Sequence, residues 1–400
     1  MTARTPPSLI TLIAMTGLSV VSMNLFLPVL PKMAEAFGAD YALMSLAVSG
    51  FLAATVVVML ATGPLADRFG RRPVAIGTVG IFVVAAALAA RAETIEWFLF
   101  CRFCQATILG VWVVALSSIR DTAPPGEAAG LIGYVSAAMA IAPMMGPMVG
   151  GALEAAFGWR ATLDALWIGG LIVFALVWFD FGETKTDDAG GGADLIADAK
   201  AMLASAAFWA CALCQGFSSG FFYVFTTGAP FVSAVTFGIS PAEIGLWMAS
   251  TPFGFFIGSL ITGRIAKRMT APDLMIAGRA IACLGIAIGL ALVISGAVSA
   301  PVIFGAALFA GMGNGLTMPG ANTAAMEAAG RAAGSAAGVM GALSVGIGAV
   351  AAQVTGAVVG PEQGPLTVMA LCMVCVGAGL LAGLCAKVLL ARGTAPSSAL

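Results

Sequence analysis

The chain has no histidine, and only 9% of its 400 residues are charged. The first absence excludes imidazole general acid–base chemistry, Ser-His-Asp triads and His-ligated metal or haem. The second excludes an ordinary soluble fold, which carries about a quarter charged residues. With 18 Lys+Arg against 19 Asp+Glu there is no basic face to follow a nucleic-acid backbone. No phosphate-cradling loop of the Gly-x-x-x-x-Gly-Lys type exists either, because none of Lys32, Lys185, Lys200, Lys267 and Lys387 follows a glycine. Neither an enzyme nor a cofactor is expected.

What the chain has is apolar length: 60% hydrophobic residues and a mean hydropathy of +1.03. A helix needs about 20 apolar residues to cross the hydrocarbon core, and only helices or closed barrels satisfy every backbone group there. Barrel strands would alternate; these runs are unbroken. They centre on 9–30, 43–65, 73–90, 97–119, 130–153, 161–181, 204–235, 242–263, 273–295, 300–325, 332–358 and 365–390, which predicts an all-α membrane protein of twelve spans. The acidic, glycine-rich stretch 183–203 reads as a solvated linker, dividing an N-terminal half (1–182) from a C-terminal half (204–400). Arginine and lysine crowd one set of loops (Arg68, Arg71, Arg72, Arg120, Lys185, Lys200, Arg264, Lys267, Arg268), while the other set holds Lys32, Arg91 and Arg160. That bias predicts cytoplasmic N- and C-termini.

The halves resemble each other. Thr62-Gly63-x-x-Ala66-x-Arg68 after span 2 recurs as Thr262-Gly263-x-x-Ala266-x-Arg268 after span 8, as a duplicated six-helix unit requires. Repeats with a site between them near the midplane are a transporter plan. Cys101/Cys104, Cys211/Cys214 and Cys372/Cys375 lie within apolar runs, where cysteine packs as a small apolar residue. Gly311-Met312-Gly313-Asn314-Gly315 reads as tight helix packing.

Three segments carry more information. The turn between spans 2 and 3 reads Gly63-Pro64-Leu65-Ala66-Asp67-Arg68-Phe69-Gly70-Arg71-Arg72. Span 4 holds Arg102-x-x-Gln105 and Gly110, and a charge inside a span is expensive. Span 5 holds Pro143 and Gly146-Pro147-Met148-Val149-Gly150-Gly151, which permit close packing and a bend. These segments resemble the loop, span-4 and antiporter signatures of the major facilitator superfamily. With Leu27 to Pro31, Arg120-Asp121, Gly158-Trp159-Arg160, Glu183-Thr184, Tyr223, Pro230-Phe231 and Pro319-x-x-Asn322, the chain resembles the bicyclomycin/chloramphenicol-resistance branch of the twelve-span drug/proton antiporters.

The resemblance implies an inner-membrane exporter of lipophilic small molecules, monomeric, with protons as counter-ion and no nucleic-acid partner. It implies a gating clasp in which Asp67 faces the start of span 11 near Gly334 and Ser335, and Arg71 pairs with Asp121. An apolar pocket with few polar groups suits such substrates. Candidates by depth are Asn24, Phe26, Trp112 and Tyr134 in the first half, with Gln215, Phe222, Tyr223, Trp247 and Asn314 in the second. One position departs from the branch: Asn24 stands where a titratable aspartate is common, and asparagine carries no titratable proton. Of the acids that remain to sense both sides, Asp164, Glu154, Asp67 and Asp121, the expected coupling carboxylate is Asp164, because it lies within span 6, with pairing to Arg160 one turn earlier as the alternative. Export of an endogenous metabolite and uncoupled facilitation on the same fold stay open.

Overall fold

The computed structural model describes residues 6–122, 128–184, 202–265, 268–329 and 333–393, nearly all of them helical. Among the described residues eleven helices are long and apolar enough to cross a membrane: Leu9–Phe37, Tyr41–Ala66, Arg71–Ala89, Ile95–Ile119, Arg160–Asp180, Ala206–Phe237, Pro241–Ile265, Ala271–Ile294, Ala300–Ala329, Gly338–Val358 and Gly364–Ala391. The helix Ala128–Phe157 stands between the fourth and fifth of these and supplies the twelfth span. Numbered in chain order it is span 5. The all-α, twelve-span architecture read from the apolar runs is therefore the observed one.

Several spans are interrupted, and the interruptions have local causes. Span 1 stops at Asn24 and passes through a short 3-10 turn, Leu27–Val29, before resuming at Leu30–Phe37. Pro28 and Pro31 cannot donate backbone hydrogen bonds, so the ladder breaks there. Spans 2 and 8 break alike near their starts, as Tyr41–Met44 then Leu46–Phe69, and Pro241–Met248 then Ser250–Ile265. The starts of the two spans, Tyr41 and Pro241, stand at the same distance before the repeated Thr-Gly motif, while the break falls four residues later in span 8 than in span 2. Thr62 and Thr262 also do similar work: a Cβ on Gly110 of span 4 would stand 2.5 Å from the Thr62 hydroxyl, and Thr262 donates to the Gly315 carbonyl of span 10 at 3.1 Å.

Packing groups the chain into two units. The first takes residues 1–189, 229–249 and 356–358; the second takes 190–228, 250–355 and 359–400. The first unit thus includes the far ends of spans 7 and 11 and the start of span 8. Small residues make this possible, since a Cβ on Gly151 would overlap the Pro241 carbonyl and one on Gly245 the Pro147 carbonyl. Backbones meet where side chains are missing. In the second unit span 10 is wedged between two neighbours in the same way. Cβ atoms on Gly311 and Gly315 would overlap carbonyls of Thr251 and Phe255 in span 8, and one on Gly313 the Gly278 carbonyl of span 9. The glycine run 311–315 is a packing device.

Candidate functional site

In the first unit the break in span 4 positions a buried cation. Helix Ile95–Gln105 gives way to a 3-10 turn, Ala106–Leu109, before Gly110–Thr122. One turn before that break, Arg102 is fully buried. Its guanidinium lies between the rings of Phe26 and Phe51, 4.3 and 4.4 Å from their centroids. Nη1 donates to Gln105 Oε1 and, at 3.4 Å, to the Ser22 carbonyl; Nε reaches the Ala47 carbonyl at 3.4 Å. Span 4 is thereby tied to spans 1 and 2. Among the described residues Nη2 has no partner and no carboxylate pairs with the group.

Asn24 does not join this cluster. Its Nδ2 donates to the Val20 carbonyl at 2.8 Å, folding the amide back onto the last turn of its own helix. Its Cβ rests against span 5, 3.0 Å from where a Cβ on Gly146 would lie. Gly150, one turn further on, leaves space for the Leu25 carbonyl. Beyond the glycines, Lys32 Nζ pairs with Glu154, the only buried carboxylate among the described residues.

At the basic end of the first unit, Glu183 caps the start of span 3. It accepts from the backbone N–H of Arg71 at 2.8 Å and of Arg72 at 3.3 Å, where unpaired amides and the helix dipole favour an anion. Gly70 immediately before has φ +101°, and a Cβ there would overlap the Glu183 carboxylate. Gly70→Ala is therefore expected to displace the cap and cost about 2 kcal/mol, read as a lower melting temperature. Gly63→Ala, with nothing within 4 Å of the added carbon, serves as the silent control. Arg68 lies over the Phe69 ring, and Arg72 donates to the Trp178 carbonyl at 3.0 Å. The side chains of Asp67, Asp121 and Tyr134, and the Gly334 and Ser335 sites expected opposite Asp67, lie outside the described residues.

Asp164 is half-buried and accepts from the Trp167 indole N–H at 2.7 Å. The pairing with Arg160 raised as an alternative is not formed. Arg160 turns instead to the Ala92 carbonyl at 3.3 Å and lies over Trp159. Trp112 and Phe222 are half-buried, Gln215 is buried, and Trp247 is partly exposed within the first unit. Tyr223 is half-buried and fills the space left by Gly348 of span 11.

The second unit holds a buried cation that sequence reasoning passed over. Arg279 of span 9 is fully buried, with Nε donating to Thr317 Oγ1 at 3.0 Å and Nη2 to Asn314 Oδ1. Asn314 in turn donates to the Ser218 carbonyl at 3.2 Å. An arginine inside the apolar run 273–295 was the signal, as informative as Arg102 on the same cost argument. Each half thus carries a buried guanidinium braced by a side-chain amide on the fourth span of that half, Gln105 or Asn314. All eight cysteines are free thiols.

Comparison with known proteins follows the same lines. The chloramphenicol resistance protein of Pseudomonas aeruginosa is 28% identical over 262 residues, covering 64% of this chain and 62% of that protein. The multidrug resistance protein MdtL of Shewanella sp. (strain ANA-3) is 32% identical over 163 residues, 40% of this chain and 41% of that one. The aligned region therefore spans less than two thirds of either relative. In three dimensions the chain is similar to a bacterial homologue of the human lysosomal transporter Spinster in an inward-facing conformation, with a TM-score of 0.76 at 17% identity over 95% of this chain and 97% of that one. It is also similar to a D-xylose–proton symporter, with a TM-score of 0.74 at 14% identity over 94% and 96% of the two chains. The profile of the Major Facilitator Superfamily matches residues 12–353, from span 1 into span 11. On that match and this fold, the chain is a multi-pass membrane protein belonging to the Major Facilitator Superfamily.

Proposed function

We propose that this protein exports small amphipathic molecules, drugs among them, across the bacterial inner membrane by alternating access, exchanging them for protons. The observation that carries the reading is the Pro143–Gly151 segment of span 5. Its glycines seat the break of span 1 and the start of span 8 by backbone contact. A seam of that kind, without interdigitated side chains, can part and re-form between two states, as alternating access demands. The segment resembles the signature of exporters, and the names of the resistance relatives support that direction of transport.

Coupling requires a group whose proton affinity differs between the two states. Asn24 supplies none. Asp164 is the proposed carrier, because its described contact is the neutral Trp167 indole and not a cation. Asp164→Asn is expected to abolish drug-induced proton movement in proteoliposomes while leaving downhill substrate exchange. Uphill export by that variant under a pH gradient would assign coupling elsewhere, and equilibration without accumulation by the wild type would favour the uncoupled facilitator. The function itself is tested by susceptibility of a strain lacking its own exporters, with chloramphenicol as the first compound. Expression of the chain should raise the inhibitory concentration and an uncoupler should erase the rise; no shift for any lipophilic drug would favour an endogenous metabolite.

A further inference from the structure

The Arg279 cluster is an unfinished receptor. A guanidinium offers five N–H donors in a fixed fork, and at Arg279 the described acceptors are the Thr317 hydroxyl and the Asn314 amide oxygen, both neutral. Nη1 is buried and has no partner. Among the described residues no salt bridge to a carboxylate is formed by the group, and the thiols of Cys214, Cys283 and Cys375 that lie near it are neutral. Span 12 approaches with a glycine. A Cβ on Gly379 would stand 3.1 Å from Arg279 Cδ and 3.5 Å from both Nη1 and the Phe217 Cβ, so span 12 itself places no side chain against the idle nitrogen at this position.

A buried cation without a counter-ion is costly, and a polar atom left idle in a buried site adds to that cost. The first unit repeats the pattern at Arg102, whose Nη2 is idle and whose companions among the described residues are two aromatic rings and neutral acceptors. The one buried carboxylate among the described residues, Glu154, is already engaged by Lys32. The described interior of each unit therefore presents uncompensated positive charge. What complements an idle guanidinium N–H is a compact anionic acceptor, because a charge-assisted bond of this type is about twice as strong as a neutral one.

We infer that the Arg279–Asn314–Thr317 cluster is an anion-binding subsite, taking a carboxylate or a similarly compact acceptor on Nη1, and that the substrates are neutral or anionic amphiphiles and not lipophilic cations. The binding claim stands on the cluster alone; only its extension to substrates rests on the exporter reading. The test uses three probes that share one ring system: 2-naphthoate, 2-naphthamide and 2-naphthylmethylammonium. Affinity for the purified full-length protein in detergent is measured by calorimetry. The wild type should bind naphthoate about tenfold or more tightly than naphthylmethylammonium, the factor expected of one charge-assisted hydrogen bond. Arg279→Gln should lose that preference while keeping its affinity for naphthamide, which also reports that the variant is folded. Arg279→Lys should retain the preference. Gly379→Ala, which places a methyl beside Nη1, should weaken naphthoate selectively and serves if Arg279→Gln does not fold. Equal or tighter binding of the ammonium by the wild type, a preference that survives Arg279→Gln, or no binding of any probe would overturn the inference. Export is read separately, as naphthamide efflux from loaded cells. Efflux without charge preference sinks the subsite alone, and charge preference without efflux sinks the exporter reading alone.

Discussion

Replacing Gly150 by alanine is expected to remove transport and to lower both the yield and the melting temperature of the folded protein. The added methyl would overlap the Leu25 carbonyl, which belongs to backbone and not to the end of a flexible side chain. That backbone has little freedom to retreat. Leu25 N–H donates to the Val21 carbonyl at 2.9 Å, closing the first helix of span 1, and the Pro28-containing turn follows directly. Relief would have to come from parting spans 1 and 5, which would also disturb Asn24 against Gly146 and the seam of Gly151 with Pro241. Overpacking of a rigid interior costs about 1 to 3 kcal/mol where side chains can shift; with backbone on both sides the loss should reach about 3 kcal/mol or more. Gly77→Ala is the matched control, since nothing lies within 4 Å of its added carbon. Equal stability and transport for the two variants would show that the span 1–5 seam does not have the tightness described.

The second large effect is at Arg102, where stability and transport should separate. Substitution by methionine keeps most of the volume and removes the charge. Two ring contacts are lost, each about 2 kcal/mol in a desolvated setting, together with the hydrogen bonds to Gln105, Ser22 and Ala47. Against this, the cost of burying an unpaired cation disappears, and replacing buried ionic groups by apolar ones of like size is often neutral or stabilising by about 1 to 4 kcal/mol. The melting temperature of Arg102→Met should therefore match or exceed that of the wild type, while transport falls to background. Such a residue is retained for what it does between states. Wild-type transport by Arg102→Met would reduce the guanidinium to packing.

Much of this was legible in the residues, for physical reasons that can be named. The hydrocarbon core demands long apolar helices, so the spans announce themselves, and Pro28 and Pro31 announce the break in span 1. Gln105 as a partner of Arg102 follows from three-residue spacing on a helix. The rings of Phe26 and Phe51 do not, because they arrive from spans 1 and 2 and only tertiary packing aligns them. The 3-10 turn at Ala106–Leu109 contains neither proline nor glycine and leaves no local mark. At Asp164 the pairing with Arg160 that one-turn spacing offers is not formed. Arg160 found a backbone carbonyl and its neighbouring indole, and Asp164 found Trp167. Glu183 was noted only as part of a resemblance, since its capping of Arg71 and Arg72 joins residues more than a hundred positions apart. Arg279 is legible in the sequence on the same ground as Arg102, since a charge within an apolar run is costly wherever it stands.

The central claim is uphill export driven by the proton gradient, and accumulation in everted membrane vesicles tests it most directly. Vesicles containing the wild-type chain, energised to acidify the lumen, are given the radiolabelled compound selected by the susceptibility panel, with Arg102→Met vesicles as the blank. Luminal substrate should rise above the outside concentration and fall back when a protonophore is added. Equilibration that stops at equal concentrations and ignores the protonophore would contradict the account.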